Sequence, residues 1–185
     1  MKHFCAFSLV LAVPFFVLSC SRCSIGTGAE ALSVTVLSYN VENLFDDVDN
    51  GTEYREFDPG EGEWTADLFH AKMLQAAEVI GTAVPKGPDI VALQEIENGN
   101  ALELLRTEGV KNFGYRYSAV TETPGAAVNT AVLSRFPITA VRRHGAALPD
   151  GVGMRDILET EIEIDGRTLY LFNNHWKSKS GGAEE

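Results

Sequence analysis

The chain reads as an α/β domain, part of a sandwich whose C-terminal half is missing. Three observations lead there. The periodic stretches come in the order β-α-β-α and then as a run of strands. Two early segments, VLSYN and DIVALQE, are short apolar runs of the kind buried inside a sheet. With 185 residues, 45% of them hydrophobic, the chain can build one ordinary domain with its own core, and it carries no internal repeat.

Taken in order, Ser33–Tyr39 is the first strand. Asp46–Glu63 is rich in Asp, Glu and Gly without a period and is expected to be a solvated acidic loop. Asp46, Asp47, Asp49 and Asn50-Gly51 suggest a calcium loop but lack the closing glutamate at the right distance. From Thr65, a candidate N-cap, to Val84, the residues Leu68, Met73, Ala76, Ala77 and Ile80 recur at helical spacing. Pro85-Lys86-Gly87-Pro88 ends that helix. Ile90–Leu93 is the next buried strand and Asn100–Thr107 a second helix. Strands follow at Tyr115–Val120, Thr130–Ser134, Ile138–Arg143, Ile157–Ile164 and Thr168–Asn173, with Asp165-Gly166 as the hairpin turn between the last two.

The N-terminal region has a different character. Lys2 and His3 precede the apolar stretch Phe4–Leu18, and Val17-Leu18-Ser19 stands directly before Cys20. That stretch is short for a membrane span and fits an export signal. The residues around Cys20 resemble a bacterial lipobox, in which this cysteine is acylated and becomes the mature N-terminus. Ala29-Glu30-Ala31 also resembles a signal-peptidase site, but lies far beyond the apolar run. The expected division is a signal peptide over 1–19, a lipidated Cys20 with a flexible tether over 20–32, and the domain over 33–185. The expected location is exported and lipid-anchored to a bacterial membrane, on its periplasmic or cell-surface face; each buried acyl methylene contributes about 0.8 kcal/mol. All three cysteines lie in the first 23 residues, so the domain has none for an internal disulfide or a thiolate metal site. A net charge of −11 argues against a broad basic groove for nucleic acid, although a metal ion supplies positive charge locally.

Three polar residues stand at or just past the ends of apolar runs, where neighbouring strands bring side chains to one sheet edge: Asn40, Glu95 and His175. Glu95 is either a strand-end charge or a ligand for Mg²⁺ (or Mn²⁺), ions that take one or two protein carboxylates and fill their remaining positions with water and phosphate oxygens. Asn40 either closes a turn or uses its amide to orient that ligand or bind a phosphate oxygen. His175 lies in the polar, cationic run Asn173-Asn174-His175-Trp176-Lys177-Ser178-Lys179, and a histidine beside a phosphate donates a hydrogen bond or acts as general acid. Arg155 either pairs with phosphate or forms a surface pair with Asp156. His70 and His144 receive no role.

The blocks SYNVENLF, DIVALQEIE, NTAVLSRFPI, RDILE and NNHWKSK occur in this order from about Ser33 to the end. Together they resemble the endonuclease/exonuclease/phosphatase superfamily, which includes DNase I-like nucleases, sphingomyelinases and inositol-polyphosphate phosphatases. The resemblance implies a four-layer α/β/β/α sandwich and a metal-dependent phosphoesterase acting on nucleic acid or a small phosphodiester. It implies catalytic roles for His175 and Asn40, a metal held by Glu95 with Asn40, and substrate phosphate bound by Arg155, Asn174 and Asn129. Arg135 is taken as a packing and rim residue. The family's G-D-x-N and S-D-H blocks, which activate the attacking water, have no counterpart here. The chain alone is therefore expected to be weakly active or inactive, with apolar faces of its first sheet exposed. The alternatives are a non-catalytic surface lipoprotein, either a degenerate remnant or a binding module, and a split enzyme completed by a second chain.

Overall fold

The computed structural model describes residues 19–25, 32–145 and 155–176. The expected signal segment up to residue 18, the tether residues 26–31 and Lys177–Lys179 lie outside the described residues.

Among the described residues, eight strands form two sheets. The larger sheet has the order β1-β2-β3-β5-β4, from β1 (Ser19–Ile25), β2 (Leu32–Leu44), β3 (Ile90–Ile96), β4 (Tyr117–Val120) and β5 (Asn129–Ser134). The smaller is a meander of β6 (Ile138–His144), β7 (Ile157–Ile164) and β8 (Arg167–Asn173). Its β7–β8 turn falls on Asp165-Gly166, with φ 48° and 71°, the left-handed pair that a tight two-residue hairpin requires. β2 and β3 run parallel, joined by α1 (Ala66–Ala83) as crossover; the other strand pairs are antiparallel.

α1 begins where expected, with Thr65 Oγ1 accepting from Leu68 N at 3.3 Å. It lays Phe69, Met73, Ala76, Ala77 and Ile80 onto the sheet, opposite Leu37, Val91, Leu93, Ala131 and Leu133. The second expected helix is shorter: α2 covers Gly99–Leu104, capped by Asn98, and then widens into a π-turn over Leu105–Gly109. On the sheet's other face Val34, Ile90, Ala119 and Val132 pack against Leu158, Ile162 and Ile164 of β7. The layers are thus α/β/β, three of the four layers of a DNase I-like sandwich.

Several expectations change. Along β2, β3 and β5 both faces of the first sheet are covered; exposed apolar side chains instead include Tyr170 and Phe172, at 56% and 53%, on the outer face of β8. Ser19–Ile25, expected to carry the acylated cysteine and open a flexible tether, is a strand antiparallel to Ser38–Leu32, because β2 is long enough to offer an open edge there. Asp46–Glu63 is not a freely solvated loop. Phe45, fully buried, stacks on Phe57 at 4.8 Å; Phe57 meets Trp64 edge-on at 4.9 Å; and Trp64 Nε1 donates to Asp46 O at 2.8 Å. Asp46 itself is 1% exposed and Glu97 2%.

Candidate active site

Parallel pairing puts the C-terminal ends of β2 and β3 at one edge of the sheet, but neither Asn40 nor Glu95 terminates its strand. β2 runs on to Leu44 and β3 to Ile96. Between Asn40↔Gln94 and Leu44↔Ile96 the pairing shifts, and β3 shifts again against β5 between Gln94↔Thr130 and Ile96↔Asn129. Glu95 is thus an extra residue in its strand, with φ 66°, and Glu42 and Asn43 opposite it have φ 56° and 64°. Three non-glycine residues in the left-handed region within one small area mark stored backbone strain, which gathers at functional sites. The consequence is directional. Regular alternation would aim Glu95 into the helix-side core with Val91 and Leu93; the bulge brings it to the edge and returns Ile96 to that core.

His175 reaches the same edge from the second sheet, two residues past the end of β8. Its Nε2 lies 3.2 Å from Glu95 Oε1 and 3.0 Å from Arg155 Nη1. A protonated Nε2 donates to Glu95, whereas a bare Nε2 accepts from Arg155, so one proton decides which partner the ring serves. Its Nδ1 is buried with no hydrogen-bond partner among the described residues. The hydrogen bond from His175 holds the Glu95 carboxyl below the usual range; burial opposes this, and Asn40 and the nearby Arg155 charge add to it. Asn40 Oδ1 meanwhile accepts from Glu42 N at 2.8 Å, which fixes the amide. An ionised carboxylate with an adjacent amide is the donor chemistry that a hard divalent cation takes, so Glu95 and Asn40 are the residues here that fit one. Lys72 of α1 also faces this area: burial lowers its pKa, and the charges of Glu42 and Glu95 oppose that shift.

Arg155 precedes β7, which begins at Ile157. It is not paired with its neighbour Asp156. Asp156 Oδ2 is instead 3.2 Å from Arg143 Nε and accepts from Thr123 Oγ1 at 2.9 Å. Asn40, Glu95, Arg155 and His175, from four separate segments, thus meet at one site. Asn174 sits beside His175 but donates to Phe172 O at 3.2 Å. Asn129 is 7% exposed; its Nδ2 donates to Glu97 O at 2.6 Å, and its Oδ1 accepts from Thr121 Oγ1 and Thr123 N at 2.9 and 2.8 Å. With its amide committed to buried partners, Asn129 shapes the β4–β5 loop rather than presenting free donors. Arg135 lies at the far edge of the sheet, bound to Asp89 at 2.9 Å and stacked over Tyr115. His144 Nε2 is 2.5 Å from Glu159 Oε2 on the outer face of the second sheet.

Sequence reading missed the residues that hold the two sheets in register at this edge. Asn173 Nδ2 donates to Leu93 O and Ala131 O at 2.8 and 2.9 Å, and its Oδ1 accepts from Gln94 Nε2 at 2.6 Å. The available signal was Gln94 itself, an amide inside a buried apolar strand that must find a partner. Also missed was the Glu97–Asp46 pair. Glu97 accepts from Asp46 N at 2.7 Å and Asn50 Nδ2 at 3.1 Å, and burial, then the Asp46 charge, push it up to about 8. A groove of about 540 Å³ runs over this pair and is lined also by Asn98, Asn100, Glu122 and Thr123.

Against known proteins, the profile described as the Endonuclease/Exonuclease/phosphatase family matches residues 35–185. Comparison with curated protein sequences returns no match. Among solved structures, selenomethionine TDP2 from Caenorhabditis elegans is similar at 19% identity and a TM-score of 0.50, over 78% of this chain and 35% of that one. A truncated form of the same worm protein gives the same identity and TM-score, over 78% of this chain and 47% of that one. The chain therefore spans less than half the length of these structures, and at such identity the likeness concerns the fold alone. By the span of its sequence match, this chain belongs to the endonuclease/exonuclease/phosphatase family.

Proposed function

We propose that the chain carries the metal- and phosphate-binding part of a divalent-metal-dependent phosphoesterase. The observation that carries this reading is the meeting of Arg155, His175 and Glu95 through one imidazole nitrogen, at 3.0 and 3.2 Å, beside Asn40 on a strained bulge. Glu95, kept ionised, would hold the cation, with Asn40 fixing the carboxylate and offering its amide oxygen beside it. A bound Mg²⁺ or Mn²⁺ supplies Lewis-acid polarisation of the phosphate and neutralises its charge. Arg155 binds a non-bridging oxygen through its guanidinium. His175, with a proton on Nε2, donates to the same phosphate as its charge grows in the transition state. Asn174 rims the site. The substrate is a phosphate ester, either nucleic acid or a small phosphodiester. The protein is exported and held at a bacterial membrane through acylated Cys20, as the order of charge, apolar run, small residue and cysteine supports.

The test is hydrolysis of bis(p-nitrophenyl) phosphate with Mg²⁺, run in parallel with binding of inorganic phosphate. The expected result is Mg²⁺-dependent phosphate binding with slow turnover, both lost in Glu95→Ala, and turnover lost in His175→Ala. Turnover should rise when a separate polypeptide bearing the G-D-x-N and S-D-H blocks is added. Phosphate binding indifferent to EDTA and to Glu95→Ala would refute the reading.

A further inference from the structure

Arg155 is an exposed, long side chain that starts in the stretch before β7, yet its guanidinium is directed at His175. Left to itself such a side chain samples many rotamers, and holding it in one direction requires a fixed backbone. That fixed point is next door. We propose that Asp156 is a positioning residue, anchoring Arg155 so that its guanidinium meets the phosphate in the place His175 and Glu95 define. The inference rests on the phosphate-binding role given to Arg155 above.

Asp156 ties three segments together. Its side chain is 13% exposed, and one carboxylate oxygen, Oδ2, meets both Arg143 Nε from the end of β6 and Thr123 Oγ1 from the β4–β5 loop. Arg143 reaches on to Glu122 O at 3.2 Å, so the clamp closes on the loop's backbone as well as its side chain. Arg143 is itself 43% exposed, but the carboxylate it meets is sheltered and also holds Thr123, and two charge-assisted ties on one oxygen fix geometry better than a single surface pair does. Arg155 and Asp156 also line a cavity of about 200 Å³ with Thr121, Thr123, Ala126 and Val128. The clamp therefore sets the wall of that cavity and the direction of the arginine together. Had Asp156 paired with Arg155, it would have competed with phosphate for the guanidinium; pairing with Arg143 leaves Arg155 available.

The test is a double-mutant cycle read by equilibrium binding of inorganic phosphate in Mg²⁺, on the full chain. Arg155→Ala should weaken binding about tenfold, as expected for loss of a charged hydrogen bond. Asp156→Ala should weaken it about fivefold, and the double variant should bind no more weakly than Arg155→Ala alone, because two residues acting through one contact are not additive. Asp156→Asn, which keeps an oxygen for Thr123 and Arg143, should restore most of the affinity. If Asp156→Ala fails to fold, Thr123→Val and Arg143→Ala each remove one tie and should each give part of the loss, again only when Arg155 is present. The proposal is overturned if Asp156→Ala leaves phosphate binding unchanged, or weakens it equally with and without Arg155. Wild-type protein that does not bind phosphate at all would overturn the phosphoesterase reading and this inference with it; wild-type binding with an additive cycle overturns only the inference.

Discussion

Replacing Asn173 with alanine should loosen the docking of the two sheets. Asn173 is 3% exposed and makes three hydrogen bonds across the sheet–sheet interface, to Leu93 O, Ala131 O and Gln94 Nε2. Each buried bond contributes about 1 kcal/mol net, and a stranded partner adds its own desolvation cost. Gln94 would be the worst stranded: its remaining contacts, Ala92 O and Ser38 Oγ, are both at 3.4 Å. The expected loss for Asn173→Ala is about 3–4 kcal/mol. Urea unfolding at pH 7, followed by tryptophan fluorescence, measures it. Asn173→Asp provides the sharper control. It keeps an acceptor for Gln94 but turns a carboxylate oxygen toward two carbonyls, so it should be at least as unstable at pH 7 and recover on acidification. A loss below about 1 kcal/mol for the alanine variant, or an aspartate variant as stable as wild type, would refute the argument that this amide docks the two sheets.

Further predictions concern the regions around the site. Glu97, raised from 4.5 to about 8 by burial and by Asp46, favours folding while protonated; that contribution is complete below about pH 4.5 and is lost as pH rises through about 8. Glu97→Gln, which cannot ionise, should therefore gain on wild type by a few kcal/mol between pH 5 and 9 in denaturant titrations, and a constant difference would contradict it. Gly87 has φ 72°, and a Cβ there would sit 2.6 Å from the Phe113 ring; Gly87→Ala should cost about 2 kcal/mol, partly recovered by adding Phe113→Leu, with thermal melts as the measure. Trp64→Phe keeps the aromatic cluster but removes the bond to Asp46 O; it should cost about 1 kcal/mol and speed protease cutting within residues 46–63.

What the sequence revealed depended on how local each signal was. Helix α1 was legible from Thr65 to Ala83 because cap, period and terminating prolines lie within twenty residues or so. The Asp165-Gly166 hairpin was legible for the same reason. Glu95 and His175 were visible as polar residues closing apolar runs. Their relation was not, since the bulge that turns Glu95 toward the edge comes from mismatched register among three strands. The acidic loop was misread because composition reports charge, not burial: Asp46 is enclosed by Val48 N, Asn98 and Asn100, two of them some fifty residues away. Asn129 was given phosphate on the strength of its block, whereas its amide is held by Glu97, Thr121 and Thr123. The docking amide Asn173 was the least legible of all, because its partners lie in β3 and β5.

That last separation has a meaning in time. Gln94 and Asn173 are 79 residues apart in the chain, and Glu95 and His175 flank them. At about 5–20 residues per second, a ribosome that has just delivered Glu95 needs on the order of ten seconds to deliver its histidine. Through that interval the first sheet can form with its bulge and its carboxylate in place, but nothing faces them. The pairing of His175 with Glu95 therefore waits until β8 has formed and Asn173 has docked on Gln94.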